Sequence, residues 1–238
     1  MKKRFRRIGL CLSLGMILFP SVLWAAESYV IIPFLDMTQI YGENKQIASP
    51  YTFRVYRTGT VEVDGPMIVA NEFQRQLISV LEYSIQSLAQ GERAVNEVLK
   101  KNPKLVNSPR ELAVQTGKEL KVDYVIVGAV YVYRERVGHN YSVDTPASIS
   151  FEISLYRTSD GARMWTQSAT ETQQPLSENV LKIGQFMKRK ATWLTAEALT
   201  ATHIQEMIPT FPFAREVLER KAQEEMGTLP PTKQAAGE

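Results

Sequence analysis

Cysteine and histidine are nearly absent from this chain of 238 residues, which has one cysteine, Cys11, and two histidines, His139 and His203. A metal site that uses thiolates or imidazoles needs several of these residues at close spacing, and the chain does not supply them. It also lacks the Gly-x-Ser-x-Gly and Gly-x-x-x-x-Gly-Lys motifs of serine hydrolases and phosphate-binding loops. We therefore expect no metal, no cofactor and no enzyme activity.

Long apolar runs are also missing, except at the N-terminus. There MKKRFRR precedes about twelve apolar residues, followed by Pro20 and by Trp24-Ala25-Ala26. A basic start, an apolar run and small residues are typical of a secretory signal peptide. We predict cleavage near Ala25, a periplasmic location and no membrane span in the mature chain. The alternative is an uncleaved helix over 8–26 that anchors a periplasmic protein in the inner membrane.

Neither charge is in strong excess once this segment is removed. The full chain has 28 basic and 25 acidic residues, and five of the basic ones lie before Ala25. The remainder has a net charge of about −2, so it lacks the basic balance that favours nucleic-acid binding. Cys11 leaves with the predicted signal peptide, so the exported protein needs no disulfide.

The pattern of apolar residues predicts an α/β (α+β) fold with a mixed sheet. Segment 28–36 is a short apolar run typical of a buried strand. In the strand over 122–136, residues 122–132 are apolar on both alternating faces, as in a strand covered on both sides. In 147–157 the apolar side chains alternate with Ser148, Ser150, Glu152 and Ser154. With a turn at 158–161 and a more polar strand at 162–174, these last strands form a C-terminal antiparallel meander whose final strand is an edge. A further hairpin is expected around Thr58-Gly59.

Helices are predicted to pack on this sheet and to extend beyond it. Apolar faces indicate helices over 66–82 and up to Pro103, and Ser108 with Glu111 resembles a capping box. After the meander, Ser177 and Thr195 are predicted N-caps of further helices, and a charged helix begins near Pro212. We divide the chain into a signal peptide (1–25), an α/β domain (26–175), a helical extension (176–226) and a disordered tail (227–238).

Polar residues gather at one end of the predicted meander. Because neighbouring strands run in opposite directions, the exits of strands 122–136 and 162–174 share that end. We predict a partner-binding surface there, formed by Arg134, Arg136, His139, Glu171, Gln173 and Gln174. The alternatives are a joint of ion pairs and hydrogen bonds between strand and helix, or acid–base chemistry by Glu135 and Glu171.

The motifs ELKVDYVIVGAVYVY and SDGARMW resemble those of a superfamily of bacterial envelope proteins. Val122–Gly128 and Ser159–Trp165 are the matching residues. The superfamily includes the curli secretion lipoprotein, the lipoprotein activator of penicillin-binding proteins and the N-terminal domain of the Tol-Pal translocation protein. Residues 146–199 also look like an exported family of delta-proteobacterial type. The resemblance implies a strand at 83–88, protein binding and frequent oligomerisation, with no catalytic residues to carry over.

Two differences from that superfamily limit what the resemblance implies. The connection over 137–146 is too short for the membrane-crossing hairpin of the curli pore, and the lipid-anchoring cysteine is missing. We therefore predict a non-catalytic periplasmic binding or assembly module of a Gram-negative cell-envelope complex. It would act through contacts with a protein partner or with itself, as a homo-oligomer. The alternative functions are a carboxylate-dependent envelope hydrolase and an inner-membrane-anchored protein.

Overall fold

The computed structural model describes residues 27–81, 84–139, 142–173 and 194–228. Ten strands are present in these ranges: β1 (Ser28–Ile31), β2 (Leu35–Asp36), β3 (Gln46–Ala48), β4 (Val55–Arg57), β5 (Ser84–Gln86), β6 (Tyr124–Arg134), β7 (Val137–His139), β8 (Ser142–Thr145), β9 (Ser148–Arg157) and β10 (Arg163–Thr172). The predicted signal peptide, the helix predicted after Ser177 and the end of the predicted tail lie outside the described residues.

A six-stranded mixed sheet forms the centre of the fold, in the order β10-β9-β6-β1-β5, with β2 also paired to β6. β1 runs parallel to β5 and β6, whereas β6, β9 and β10 form the predicted antiparallel meander. The predicted fold class, the strand near 83–88 and the edge position of β10 are confirmed. The segment 28–36 forms two strands rather than one, because Pro33 has no N–H to donate to the sheet.

Helices cover both faces of this sheet: α1 (Met37–Tyr41), α2 (Gly65–Val80), α3 (Leu88–Lys101), α4 (Pro109–Leu120), α5 (Ala196–Met207) and α6 (Ala214–Thr228). A capping box of Ser87 and Gln90 begins α3, and Thr195 caps α5 as predicted. The capping box predicted at Ser108 is wrong. With ψ at 68°, Ser108 is not in the extended conformation of a typical N-cap, and its side chain makes no cap hydrogen bond.

Each face of the sheet has its own apolar core. On one face, α2, α5 and the start of α6 pack over Phe73, Phe151 and Phe211. Trp165 packs there against Phe73 and Phe211. On the other face, α3, α4 and the β3–β4 hairpin cover the sheet. No helix within the described ranges is long and apolar enough to cross a bilayer.

The turn of the β3–β4 hairpin is not where the sequence predicted it. Residues 49–54 connect the two strands, whereas Thr58 and Gly59 follow β4. Thr58 donates its hydroxyl to the Gly42 carbonyl, and the Gly59 amide donates to the Tyr131 carbonyl at 2.9 Å. A Cβ on Gly59 would lie 3.1 Å from the Val132 side chain, so this glycine allows close packing on β6 rather than a turn.

Candidate functional site

A fully buried glutamate lies beneath the β3–β4 hairpin. Glu152 is on β9, and its side chain accepts hydrogen bonds from four hydroxyl groups. Oε1 accepts from Ser49 and from Tyr131 at 3.0 Å. Oε2 accepts from Thr52 at 2.7 Å and from Tyr56 at 3.1 Å. A carboxylate has about four lone-pair directions, so these donors use its full accepting capacity.

The two tyrosines of this cluster are held in place as a stacked pair. The rings of Tyr56 and Tyr131 are 4.1 Å apart between centroids and nearly parallel. β6 has a β-bulge between Val130 and Val132, and Tyr131 is the extra residue of this bulge. Burial raises the pKa of both phenols, and the Glu152 charge raises them further. Both hydroxyls therefore keep their protons near neutral pH and can donate to Glu152.

Glu152 fixes the conformation of the loop over 49–54 through Ser49. The Ser49 hydroxyl donates to Glu152 and accepts from the amides of Tyr51 and Thr52 at 3.0 and 3.1 Å. The Ser49 amide donates to the Arg54 carbonyl at 2.8 Å and closes the loop. The Tyr51 carbonyl of the same loop accepts hydrogen bonds from the Tyr156 hydroxyl at 2.8 Å and from the Arg163 guanidinium at 2.9 Å. The loop is therefore held in one conformation by groups beneath it.

At the tip of this loop, Phe53 combines an exposed side chain with a strained backbone. Its side chain is 75% exposed, and its φ angle is +62°, in the left-handed region. That region costs an L-residue about 1–2 kcal/mol relative to the right-handed one. A bulky side chain is rarely found there unless the surrounding structure enforces the conformation. The loop hydrogen bonds enforce it here, and the result is an apolar ring that faces solvent.

The other positive-φ residues that are not glycine in the described ranges have a local explanation. Asparagine tolerates the left-handed region, which explains Asn44. Lys121 is the C-cap of α4, a position where the left-handed conformation is common. Phe213 packs its ring against the core, with centroids 6.5 Å from Tyr29 and 5.8 Å from Tyr124. Phe53 has no comparable packing within the described chain. Packing inside the described part of the protein therefore does not explain the strained backbone of Phe53.

The surroundings of Phe53 add apolar and basic groups to an exposed surface. Val55 is 69% exposed on the outward side of the hairpin, and Lys45, Arg54 and Arg57 are exposed as well. A groove of about 520 Å³ lies next to the loop tip. Its walls come from the loop, the start of α4 and the β9–β10 turn: Pro50, Phe53, Pro109, Arg110, Val114 and Gly161. We call Phe53, Val55 and the three basic residues the hairpin surface.

The structure brings the ends of β6 and β10 together with α5, close to the predicted partner-binding residues. Three of the predicted side chains make contacts within the fold. Arg134 donates to the Pro146 carbonyl at 3.4 Å, and Glu171 contacts His203 at 2.6 Å. The buried Gln173 accepts from the Leu194 amide at 3.0 Å. Arg136 is partly buried after β6, and His139 ends β7. Gln174 lies outside the described residues.

Glu135 joins this sheet end to the beginning of α5. Its carboxylate accepts from the Ala196 amide at 2.9 Å and from the Arg136 amide at 2.8 Å. Its own amide donates to the Glu62 carboxylate at 2.8 Å. Since Glu171 contacts His203, the two carboxylates of the acid–base alternative both hold α5 against the sheet. Within the described ranges, no group of three or more His, Cys, Asp or Glu could hold a metal ion.

Sequence reasoning missed the buried glutamate and its hydroxyl donors. The alternation in β9 separates Glu152 and its neighbouring serines from the apolar face, but all four of these polar residues are buried. Hydroxyl pairs with β10 satisfy the serines: Ser148–Thr172, Ser150–Thr170 and Ser154–Thr166, at 2.6, 3.0 and 2.9 Å. The available signal was a single acid in a serine-rich strand, together with the hydroxyl-rich segment SPYTFRVY.

No protein-family model matches the chain, and no curated protein matches its sequence. Similar solved structures include the dodecamer of a PelC variant from Paraburkholderia phytofirmans (12% identity, TM-score 0.43, 77% of this chain and 87% of that chain). They also include lipoprotein GNA1162 from Neisseria meningitidis (16% identity, TM-score 0.39, 69% of this chain and 98% of that chain). A third is the LpoB C-terminal domain from Salmonella enterica (12% identity, TM-score 0.37, 62% of this chain and 84% of that chain).

Proposed function

We propose that this chain is a non-catalytic binding module of a cell-envelope complex, and that it contacts a protein partner through the hairpin surface. The observation that carries the proposal is Phe53, an exposed aromatic residue in a left-handed conformation that buried hydrogen bonds impose. A preformed loop loses little conformational entropy on binding, so an exposed ring on such a loop suits a protein contact. Aromatic residues are also enriched at the energetic centres of interfaces.

The periplasm is the proposed location, and the N-terminal segment MKKRFRRIGLCLSLGMILF supports it as an export signal. The absence of catalysis is supported by how the carboxylates of the predicted cluster are used. Glu135 accepts from the Ala196 amide at the start of α5, and Glu171 contacts His203. Glu152 is fully buried under its hydroxyl donors. Each of these three carboxylates is therefore bonded to groups of the fold rather than free in an open cleft.

Replacing Phe53 by glycine is expected to abolish partner contact without loss of stability. Glycine relieves about 1–2 kcal/mol of left-handed strain and costs about 0.5–1 kcal/mol in backbone entropy, so the free energy of unfolding should stay constant or rise slightly. Partner contact is measured with a photo-crosslinking residue at the exposed Val55 in the native envelope. Stability is measured by guanidinium unfolding of the purified chain.

Phe213→Gly is the matched control, because Phe213 has the same backbone conformation and a packed ring. We expect it to lower the free energy of unfolding, since the lost packing outweighs the relieved strain. If Phe53→Gly destabilises the protein to the same extent, the strain at Phe53 has a structural origin. If its crosslinks at Val55 equal those of the wild type, Phe53 does not contact the partner, and the proposal is wrong.

The sheet end is proposed as a second contact surface, formed by Arg134, Arg136, His139, Glu171, Gln173 and Gln174. The partly buried Arg136 supports it, because this residue connects the end of β6 to the β7–β8 hairpin. A photo-crosslinker at Arg136 should capture the same partner as one at Val55 when both surfaces serve one complex. Products at Val55 and none at Arg136 would show that the sheet end is a structural joint.

A further inference from the structure

We infer that the partner presents to the hairpin surface an acidic protein segment that carries an aromatic or aliphatic side chain. This inference rests on the proposed function and specifies the chemistry of the partner. It follows from two properties of the surface: basic side chains that have no anionic partner in the described chain, and an adjacent apolar groove.

The charge of the hairpin is strongly one-sided. Between residues 40 and 60 the sequence has three basic residues and a single acidic one, Glu43. Lys45, Arg54 and Arg57 are exposed, and within the described ranges their side chains make no ion pair and no hydrogen bond. Among other exposed basic residues, Lys101 pairs with Glu119 and Arg157 with Asp160. The hairpin therefore offers positive charge to an incoming acidic group.

The groove next to Phe53 is suited to an apolar side chain. Pro50, Phe53, Pro109 and Val114 give it apolar walls, and its volume of about 520 Å³ is ample for an aromatic ring. The Arg110 guanidinium is used within the fold, where it donates to the Gly161 carbonyl at 2.8 Å. An apolar side chain that enters the groove would bury the exposed Phe53 ring, which is favourable in proportion to the area covered.

The acidic residues at the groove favour a protein segment over an anionic membrane as the occupant. Asp160 and Glu111 both line the groove. Asp160 is paired with Arg157 at 2.6 Å, and that hydrogen bond holds its pKa down to about 2, so it stays ionised. A flat anionic bilayer would bring headgroups towards these carboxylates and could not fill the groove. A peptide can place its acidic residues on the hairpin cations and its apolar side chain in the groove.

The test is charge reversal on the hairpin, read by photo-crosslinking from the tip. The full chain carries p-benzoylphenylalanine at position 53, which keeps an aromatic ring there, and is expressed in the native envelope. In that background, Arg54→Glu with Arg57→Glu is expected to lower the yield of the partner crosslink by about tenfold. The matched control is Lys104→Glu with Lys118→Glu, two exposed lysines on other elements that give the same charge change. It should leave the yield unchanged.

A second pair, Arg54→Gln with Arg57→Gln, guards against misfolding and should give an intermediate loss of crosslinking. The crosslinked peptide, sequenced by mass spectrometry, should contain an excess of Asp and Glu beside an apolar residue. A yield that does not respond to either hairpin pair, or a captured peptide without that acidic excess, would overturn this inference and leave the proposed function standing. No protein crosslink at position 53 in the unaltered background would overturn the proposed function itself.

A lipid occupant gives a distinct result. The purified chain is sedimented with vesicles of phosphatidylglycerol and phosphatidylcholine in equal parts. We expect no binding that depends on Arg54 and Arg57. Vesicle binding that is lost in the Arg54→Glu, Arg57→Glu variant, and kept in the lysine control, would assign the surface to anionic lipid and overturn the inference.

Discussion

Glu152→Ala is expected to lower the free energy of unfolding by about 3 kcal/mol or more. The substitution leaves the hydroxyls of Ser49, Thr52, Tyr56 and Tyr131 without their acceptor in a buried site. A buried polar group that loses its partner costs about 1–3 kcal/mol. Some of these hydroxyls can bond to one another after the change, so the total is smaller than the sum of four separate losses.

Glu152→Gln separates the loss of accepting capacity from the loss of volume. Glutamine has nearly the same shape, but its amide NH₂ donates where the carboxylate accepted from two hydroxyls. We expect a smaller loss, about 1–2 kcal/mol. Guanidinium unfolding gives the free energies, and Glu111→Gln, at an exposed position of α4, is the control with no expected change.

Hydrogen exchange then tests whether Glu152 acts through the loop over 49–54. In the wild type the amides of Tyr51 and Thr52 donate to the Ser49 hydroxyl, which Glu152 positions. Both amides should exchange faster in the Glu152 variants, and crosslinking from position 53 should fall because the ring is no longer held in place. Unchanged exchange at these amides, with stability equal to the wild type, would show that the loop conformation does not depend on Glu152.

The periodic parts of the fold could be predicted because each depends on residues close in sequence. β6 has apolar residues on both faces, and the structure accordingly buries it at the centre of the sheet. The turn over 158–161 contains Gly161 with φ at +68° and joins β9 to β10 as expected. Thr195 is the cap of α5 because its hydroxyl accepts from the Ala198 amide. In each case local chemistry and tertiary structure favour the same conformation.

The candidate site could not be predicted because its parts come from distant segments. Ser49 and Thr52 bond to a glutamate about 100 positions later in the chain. The alternation in β9 predicts that Glu152 lies on the polar face, but it gives no sign that the hairpin covers that face. The hairpin turn was predicted at Thr58-Gly59 for its glycine, whereas the loop over 49–54 contains none and depends on Glu152 for its shape.

The sheet end was predicted in part. Strand direction correctly placed the ends of β6 and β10 at the same end of the sheet, since Arg134 and Thr172 both pair with Ser148 of β9. The sequence could not show that α5 would contact this end. Those contacts come from the Leu194 amide and from His203, which follow the meander and are placed by packing of α5 on the core.

Gly91→Ala is expected to lower the free energy of unfolding by about 2 kcal/mol, opposite in sign to the usual effect of this change in a helix. In a helix interior alanine is normally favoured over glycine by about 1 kcal/mol. At Gly91, however, a Cβ would lie 2.1 Å from the carbonyl oxygen of Ile31, a backbone atom of the buried strand β1. The oxygen cannot move without breaking the sheet, so α3 must shift away from it. Overpacking of this kind costs about 1–3 kcal/mol or more, which exceeds the gain in helix propensity.

Ala89→Gly provides the calibration for this prediction, because Ala89 is exposed on the same helix. Its loss of about 1 kcal/mol in guanidinium unfolding would give the propensity difference in α3 itself. Adding that value to the loss measured for Gly91→Ala gives the cost of the clash with Ile31. A Gly91→Ala variant that is more stable than the wild type would mean that α3 does not approach β1 closely. Val95 packs from the same helix against the hairpin-side core, so its packing would then need a different explanation.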